Sequence, residues 1–194
     1  LIDLKAGVAA SVPIVGSTIP IGVGLSWGIK LKKQKQVVVI FFGDGATEEG
    51  VFQESLDFAS LHNLPVLFVC ENNEYSVYSH LSKRQSQKRN ILKIAKAIGI
   101  NGTKLPGNNV LEIYYKTKKI KKNIRKYSKP FIILLDTFRH LEHCGPNYDD
   151  NLDYRPKKYI KKWIKNCPVI NMEKKLIKNK KISKSNIEKE KKII

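Results

Sequence analysis

Three short, largely apolar runs determine what this chain of 194 residues can fold into. They cover residues 36–42, 64–70 and 130–138, and they are rich in β-branched and large apolar side chains. Runs of this length and composition are typical of strands that are buried on both faces of a parallel sheet. Segments with a helical spacing of apolar residues lie between them, so strands and helices alternate along the chain. This alternation predicts an α/β fold, a parallel sheet flanked by helices.

The segments around these runs carry helical patterns. Phe52, Leu56 and Ala59 recur at helical spacing and predict an amphipathic helix over residues 50–63. Gly22 and Gly24 are expected to let a first helix pack closely against its neighbours, and Ser183 is expected to cap a last short helix. The remaining helices are predicted at residues 18–33, 89–99, 108–129 and 155–166, and residues 71–79 are predicted to form a polar loop.

The net charge of +19 invites a nucleic-acid-binding interpretation, but the distribution of the charge weakens it. Residues 1–82 carry five basic and eight acidic side chains, a net charge of −3, whereas residues 83–194 carry a net charge of +22. Lysine dominates the basic runs, which is typical of solvated helix faces. We therefore expect no nucleic-acid partner, and a basic polyanion-binding module stays open as an alternative.

Hydropathy and cysteine content narrow the class of protein further. No apolar run reaches the roughly 20 residues of a membrane span, so no membrane contact is expected. Three widely spaced cysteines favour reduced thiols and a cytoplasmic location. The chain begins with Leu1 and shows no signal peptide, and we interpret it as a fragment of a longer protein. Residues 1–170 are expected to form its partial main domain, and residues 171–194 a lysine-rich helical tail.

Polar side chains follow all three predicted strands at the points where the strands end. Gly43, Asp44 and Gly45 follow the first strand, residues 71–73 (Glu-Asn-Asn) the second, and residues 139–143 (Arg-His-Leu-Glu-His) the third. Because the carboxyl ends of parallel strands meet at one edge of a sheet, we expect these clusters to lie together. A carboxylate, an amide oxygen and a backbone carbonyl are ligands that suit Mg²⁺.

The spacing of two of these clusters makes them more specific than a turn. A lone Gly-Asp-Gly is common in turns, where Asp44 would simply cap the next helix. Here 26 residues separate Gly45 from Asn72, and a predicted helix and strand fill the interval. Gly45 also lets a phosphate approach the backbone closely, beside a helix N-terminus that favours anions. The combination predicts that Asp44 holds a metal and that the metal holds a diphosphate.

Residues 43–77, GDGATEEGVFQESLDFASLHNLPVLFVCENNEYSV, resemble the thiamine-diphosphate motif. More narrowly, the chain is similar to the alpha subunit of the thiamine-diphosphate-dependent 2-oxo acid dehydrogenases, the group with the pyruvate, branched-chain and acetoin enzymes. The similarity extends from residues 14–24 to residues 159–177, which is most of the chain. The resemblance implies a thiamine-diphosphate-binding fold, with thiamine diphosphate and Mg²⁺ as cofactors.

The resemblance also implies roles for individual residues around the metal. Asp44, the side chain of Asn73 and the backbone carbonyl of Tyr75 resemble the magnesium ligands. Gly45 and Ala46 are expected to offer backbone N–H groups to the diphosphate.

Two further segments carry implied roles. The backbone of residues 14–16 resembles the stretch that meets the aminopyrimidine ring, with Val15 closest and Gly16 beside it. Arg139 and His143 resemble the arginine and histidine that approach the diphosphate and the active centre. The guanidinium of Arg139 suits a phosphate group, and His143 is the candidate catalytic residue.

Several positions depart from the family's pattern. Pro13 stands where the family commonly has glycine, and Glu142 and Cys144 stand where it has glycine and serine. That serine is phosphorylated in some members, so this regulation is not expected here. The following segment, residues 145–155, differs as well. These departures line the expected mouth of the site and leave the substrate open.

The resemblance implies an enzyme that decarboxylates a pyruvate-like 2-oxo acid and passes the acyl group on oxidatively. In this family a glutamate that activates the cofactor comes from a beta subunit. We therefore expect an active site shared between subunits of a heterotetramer, with a lipoyl acyltransferase as a further partner. A non-oxidative thiamine-diphosphate decarboxylase or ligase of a sugar or cell-envelope pathway stays open as an alternative.

Overall fold

The computed structural model describes residues 1–191, and four parallel strands form its central sheet. The sheet has the order β1-β2-β6-β5, and a separate antiparallel hairpin pairs β3 with β4. All three ladders of the large sheet are parallel, and their registers begin at Val38 opposite Val66, Leu67 opposite Phe131, and Asn101 opposite Phe131. The strands are β1 (Val38–Gly43), β2 (Val66–Asn72), β3 (Tyr75–Ser76), β4 (Ser79–His80), β5 (Asn101–Pro106) and β6 (Phe131–Asp136).

Most helices follow the sequence prediction, with ends that differ by a few residues, but the helices at Leu81–Arg84 and Pro168–Lys178 were not predicted as separate elements. Asn109 caps α5, because its side-chain oxygen accepts a hydrogen bond from the N–H of Glu112. Ser183 caps the last helix in the same way through the N–H of Asn186, as predicted. The helices are α1 (Thr18–Leu31), α2 (Gly50–Leu61), α3 (Leu81–Arg84), α4 (Ile91–Ala97), α5 (Val110–Tyr127), α6 (Lys157–Lys165), α7 (Pro168–Lys178) and α8 (Lys184–Lys191).

The sheet is packed on both faces, which confirms the predicted α/β class. Helices α1, α2 and α4 cover one face, and α5 covers the other. Phe52, Leu56 and Ala59, predicted to face the core, are fully buried. Gly22 permits the close contact between α1 and β1, because a Cβ there would lie 2.5 Å from Cγ1 of Ile40. The same expectation for Gly24 is wrong, since nothing lies within 4 Å of its missing Cβ.

Two regions of strand also differ from the sequence prediction. Residues 71–79 were expected to be a loop, but they contain the end of β2, the strand β3 and the start of β4. The strand β5 was not predicted, because only Leu105 of its six residues is buried. An edge strand with one buried side chain lacks the apolar run by which the other strands are recognised.

Strand β1 forms the opposite edge of the sheet, and one of its faces is partly uncovered. Ile40 and Phe42 are buried under α1, whereas Val39 and Phe41 point to the other side. The side chain of Phe41 is 61% exposed. The helix α5 covers the second face farther along the sheet, so this apolar surface has no covering element within the described residues.

The carboxyl-terminal part continues as helices. Helix α7 runs through position 170, where the predicted main domain meets the predicted tail, and α8 ends the described part. That division stays a prediction. Within residues 1–191, no helix is both long and apolar enough to cross a membrane.

Candidate functional site

The turn after β1 buries a carboxylate at the carboxyl edge of the sheet. Gly43 ends the strand, and residues 44–48 form one turn of 3-10 helix before α2 begins. Thr47 fixes this turn by donating its hydroxyl to the carbonyl oxygen of Asp44 over 2.7 Å. The side chain of Asp44 is only 1% exposed. A carboxylate so buried requires partners that carry positive charge or donate hydrogen bonds.

The two carboxylate oxygens of Asp44 have different surroundings. Oδ2 accepts a hydrogen bond from Nη2 of Arg84 over 2.6 Å. Oδ1 is buried and has no hydrogen-bond partner among residues 1–191. An unpaired buried carboxylate oxygen is costly, and native proteins rarely leave one without a partner or an ion. The open oxygen therefore fits a bound cation.

The hairpin after β2 lies against this turn. The side-chain oxygen of Asn73 accepts a hydrogen bond from the N–H of Tyr75 over 2.9 Å. Ser76 follows, and its hydroxyl oxygen would lie 3.0 Å from a Cβ placed on Gly45. Gly45 is therefore needed so that the hairpin can pack onto the turn. The packing brings Asp44, Asn73 and Tyr75 to one edge of the sheet, as the sequence predicts.

These three residues offer oxygen donors of the kind that Mg²⁺ prefers. They supply a carboxylate oxygen, an amide oxygen with a second lone pair and a backbone carbonyl oxygen. No group of three or more His, Cys, Asp or Glu side chains able to hold a metal occurs among residues 1–191. The donor set therefore fits a hard cation that also takes ligands from outside the chain.

The segment before α1 lies beside the start of α2. Gly16 has a φ of +78°, and a Cβ on it would lie 3.2 Å from Cγ of Glu49. The backbone of residues 14–16 therefore passes close to the end of the Asp44 turn, within which Ala46 is buried. The side chain of Val15 is 61% exposed. The predicted aminopyrimidine-binding stretch thus presents an open surface.

Arg139 lies in the loop after β6 and is held by a network that the sequence analysis missed. Its Nη2 donates to the hydroxyl of Tyr154 over 2.8 Å and to the carbonyl oxygen of Val77 over 2.9 Å, with Oδ2 of Asp149 at 3.4 Å. Its Nε donates to the carbonyl oxygen of Leu141. Its Nη1 is buried and has no hydrogen-bond partner in the described part of the chain. One donor pair of Arg139 therefore remains available for a ligand.

Arg155 completes that network. It is 3% exposed, and it donates to both Asp149 and Asp150 and to the carbonyl oxygen of Arg139. Burial alone would raise the pKa of Asp149, but the hydrogen bond from Tyr154 and the charges of Arg155 and Arg139 outweigh it, so the pKa lies below the usual range. Burial and the hydrogen bond to Asp149 raise the pKa of Tyr154 to about 12. At neutral pH, Asp149 is therefore ionised and Tyr154 is neutral.

The predicted catalytic residue His143 is exposed and lies in the loop of residues 137–149. Within the described residues, no hydrogen bond joins His143 to the Asp44 turn. Glu142 closes this loop on itself, because its Oε1 accepts hydrogen bonds from the N–H and the side-chain amide of Asn147. The loop thus brings His143 to the same sheet edge but does not connect it to the buried carboxylate.

The sequence also gave no indication of two arginines that contact the Asp44 turn. Arg84 ends α3 and donates to Asp44 and to Glu48. Arg89 donates to the hydroxyl and the carbonyl oxygen of Thr47. Both lie in a polar stretch, residues 81–90, in which nothing in the local pattern distinguishes them from solvated charges. Only the fold, which places this stretch over the turn, identifies the two arginines as partners of the site.

A cavity of about 460 Å³ opens at the same edge, above the ends of β2, β5 and β6. Its wall contains an ion pair between Lys104 and Asp136 at 2.8 Å. Helix α6 covers it with Tyr159, Lys162 and Trp163. The cavity does not include the Asp44 turn.

Comparison with known proteins gives consistent relationships. The model of the family described as "Dehydrogenase E1 component" matches residues 4–193. The chain is 33% identical over 167 residues to a pyruvate dehydrogenase E1 component subunit alpha of Rickettsia typhi, covering 86% of this chain and 50% of that protein. It is 30% identical over 166 residues to a 2-oxoisovalerate dehydrogenase subunit alpha of Bacillus subtilis, covering 86% and 49%. The chain therefore spans about half the length of these curated relatives.

A solved structure is more distantly similar. It is the X-ray structure of a putative thiamin diphosphate-dependent enzyme from Mycobacterium smegmatis, with a TM-score of 0.47 and 20% sequence identity. The match covers 65% of this chain and 22% of that one.

Proposed function

This chain belongs to the dehydrogenase E1 component family, and from that premise we propose that it is part of the alpha subunit of a thiamine-diphosphate- and Mg²⁺-dependent enzyme. The enzyme decarboxylates a pyruvate-like 2-oxo acid and passes the acyl group on oxidatively. The relatives named as pyruvate and 2-oxoisovalerate dehydrogenase alpha subunits support this reaction class. Because the chain spans only about half of their length, the activity of the whole protein is part of the proposal.

The buried, unpaired Oδ1 of Asp44 is the observation that carries this proposal. A metal at this oxygen would give it the partner that it lacks, and Asn73 and the carbonyl of Tyr75 lie on the adjoining hairpin as further ligands. Mg²⁺ usually keeps open positions that phosphate oxygens fill. Asp44, Asn73 and Tyr75 therefore hold the metal in this proposal, and the metal holds a diphosphate.

Residues around the turn bind the remainder of the cofactor. The N–H groups of Gly45 and Ala46 at the start of the 3-10 turn face the diphosphate, and Arg139 offers it the free Nη1. The backbone at Val15 and Gly16, beside the exposed side chain of Val15, meets the aminopyrimidine. Thiamine diphosphate, when bound, supplies the electron sink that makes loss of carbon dioxide from a 2-oxo acid possible.

His143 acts in this proposal as the acid–base residue of the chain. Its side chain is exposed at the same sheet edge as the metal ligands, so a substrate can reach it. A histidine can exchange protons near neutral pH. The tie between Glu142 and Asn147 fixes the loop that presents it.

A beta subunit completes the site in this proposal, in a heterotetramer, and a lipoyl acyltransferase receives the acyl group. The exposed apolar side chains of Ile14, Val15, Val39 and Phe41 support a subunit contact, because large apolar surfaces on one molecule usually mark interfaces. A cytoplasmic location stays part of the same proposal.

Turnover of 2-oxo acids by the full-length chain, purified together with its beta-like partner, tests this function. Reduction of an artificial electron acceptor is measured with pyruvate and with 2-oxoisovalerate, in the presence of thiamine diphosphate and Mg²⁺. We expect Asp44→Asn to abolish turnover and His143→Asn to lower kcat by about 10² to 10⁴. His62→Asn is the control, because His62 stacks on Trp27 away from the turn. Full turnover in Asp44→Asn would contradict the proposal.

A second function, a non-oxidative thiamine-diphosphate decarboxylase or ligase, is favoured by one observation. Glu142 and Cys144 replace the small residues that the family pattern has, and Glu142 closes the loop beside His143. The same assay separates the two functions. A non-oxidative enzyme consumes the 2-oxo acid and releases an aldehyde or a condensed product without reducing the acceptor.

A further inference from the structure

Arg84 forms an ion pair with Asp44, the carboxylate that is proposed to bind the metal. Its Nη2 donates to Oδ2 of Asp44 over 2.6 Å, and its Nη1 donates to Oε1 of Glu48. The side chain is 11% exposed, so most of the guanidinium is removed from water. Arg84 therefore bridges the two carboxylates at the ends of the turn and neutralises part of their charge.

The guanidinium also covers the place where a diphosphate is expected. Nη1 of Arg84 lies 3.6 Å from the position that a Cβ on Gly45 would take. The group thus lies over the backbone of Gly45, between the buried carboxylate and the open side of the turn. A metal at Asp44 and a guanidinium on the same carboxylate would repel each other in a poorly solvated site.

We propose that Arg84 is the resident counter-ion of Asp44 and moves to the diphosphate when the metal binds. This inference rests on the proposed metal site. The planar fork of arginine binds carboxylate and phosphate oxygens equally well in geometry, so one side chain can serve both states. The exchange keeps every charge paired: the metal takes over Asp44, and the diphosphate takes over Arg84.

The exchange makes metal and diphosphate binding cooperative. A metal that binds Oδ1 alone faces the charge of Arg84 on Oδ2, and moving Arg84 away leaves its guanidinium with Glu48 and the carbonyl oxygen of Ser79. A diphosphate that arrives with the metal provides the missing partner. By linkage, each ligand then raises the affinity of the other by the same factor.

Arg89 provides a matched comparison on the same turn. It donates to the hydroxyl of Thr47 over 2.9 Å and to the carbonyl oxygen of the same residue, and therefore contacts no carboxylate. Its contacts hold the shape of the turn without competing for a cation. The exposed Lys83, next to Arg84 in α3, controls for the loss of one positive charge.

The test measures Mn²⁺ binding, by electron paramagnetic resonance of free Mn²⁺, to the full-length chain purified with its partner subunit. Each protein is titrated without and with saturating thiamine diphosphate. We expect Arg84→Gln to bind Mn²⁺ alone about tenfold more tightly than the wild type, which corresponds to about 1.4 kcal/mol. The gain in Mn²⁺ affinity on adding thiamine diphosphate should fall by at least the same factor. Lys83→Gln should keep the wild-type affinity and coupling, and Arg89→Gln, which removes a contact of the turn but no counter-ion of Asp44, should not tighten Mn²⁺ binding.

The outcomes separate this inference from the proposed function. If the wild type binds Mn²⁺ with thiamine diphosphate and Asp44→Asn does not, but Arg84→Gln matches the wild type in both titrations, the role of Arg84 is refuted and the metal site stands. If Asp44→Asn binds Mn²⁺ as the wild type does, or neither binds it, the metal site and the role of Arg84 both fail. If circular dichroism shows that Arg84→Gln is unfolded, Arg84→Lys replaces it, with an intermediate increase expected and wild-type affinity as the refuting result.

Discussion

Replacement of Asp149 by asparagine should destabilise the fold and do so in a pH-dependent way. Asp149 is buried, and its carboxylate accepts hydrogen bonds from the hydroxyl of Tyr154 and from the guanidinium of Arg155, with Arg139 at 3.4 Å. Asparagine keeps the size of the side chain but removes its charge. Arg155, itself buried, then loses one of its two ionic partners and keeps Asp150 at 2.9 Å.

The expected loss follows from the burial of this ion pair. Removing one partner of a buried pair costs about 3–5 kcal/mol, because the remaining charge stays buried without full compensation. Arg155 keeps its contacts to Asp150 and to the carbonyl oxygen of Arg139. We therefore expect Asp149→Asn to lower the free energy of unfolding by about 3 kcal/mol, the lower end of this range. For a folded unit of about 150–250 residues, this lowers Tm by roughly 6–12 °C.

Thermal unfolding between pH 3 and pH 7, followed by circular dichroism, checks both the size and the sign of the effect. The pKa of Asp149 is lowered in the folded state from its ordinary value of 3.8. Its contribution to stability is therefore fully present above that ordinary value and is lost as the pH falls through the lowered pKa. The difference in Tm between wild type and Asp149→Asn should be largest near pH 7 and shrink as the pH falls below about 4.

Asp153→Asn is the control for this experiment. Asp153 is mostly exposed and lies 3.9 Å from the exposed Lys157, and such pairs contribute less than about 1 kcal/mol. A loss in Tm for Asp149→Asn that is no larger than that of Asp153→Asn would refute the reasoning. A large loss that does not change with pH would refute the assignment of the effect to the charge.

Two further predictions concern packing and thiol reactivity. Gly22→Ala should destabilise the fold by about 1–3 kcal/mol in urea unfolding, because its Cβ would lie 2.5 Å from Cγ1 of Ile40. Gly24→Ala in the same helix has free space and should stabilise the fold by about 0.5–1 kcal/mol. Equal effects of the two changes would contradict the close contact between Gly22 and Ile40. In a thiol-labelling time course, Cys144 is exposed and should react in the folded protein, whereas Cys70 should react only on unfolding. Burial, followed by the nearby carboxylates, raises the pKa of Cys70. Because Cys167 is partly accessible, rapid labelling of a variant with both Cys144→Ser and Cys167→Ser would contradict the burial of Cys70.

The sequence predicts the part of the fold that is driven by buried apolar runs. The strands at residues 38–43, 66–72 and 131–136 were recognised because each is a local apolar run; most side chains of the second and third meet a core, whereas the first is buried on one face only. The family resemblance read from residues 43–77 is confirmed by the match of the family model. The strand β5 was missed, because pairing at the edge of the sheet stabilises it and its own side chains are mostly exposed.

The site shows the same limit. The proximity of Asp44 to the hairpin at Tyr75 was predictable, because carboxyl ends of parallel strands meet at one edge. The partners of Asp44 and Arg139 were not predictable, since Arg84 and Asp149 reach them through tertiary packing and sit in polar stretches. A sequence shows that such charges exist, and only the fold shows which of them are buried together. The roles of all the predicted site residues stay predictions.

Calorimetric titration of thiamine diphosphate into the full-length chain, purified with its partner subunit, tests the metal site at Asp44 most directly. We predict that the wild type and the exposed-charge control Asp57→Asn bind with micromolar or better affinity, about −8 kcal/mol or stronger, only when Mg²⁺ is present. Asp44→Asn should lose at least about 100-fold, roughly 2.7 kcal/mol, under the same conditions. Equal binding by wild type and Asp44→Asn, or binding that does not depend on Mg²⁺, would contradict the claim that Asp44 holds the metal.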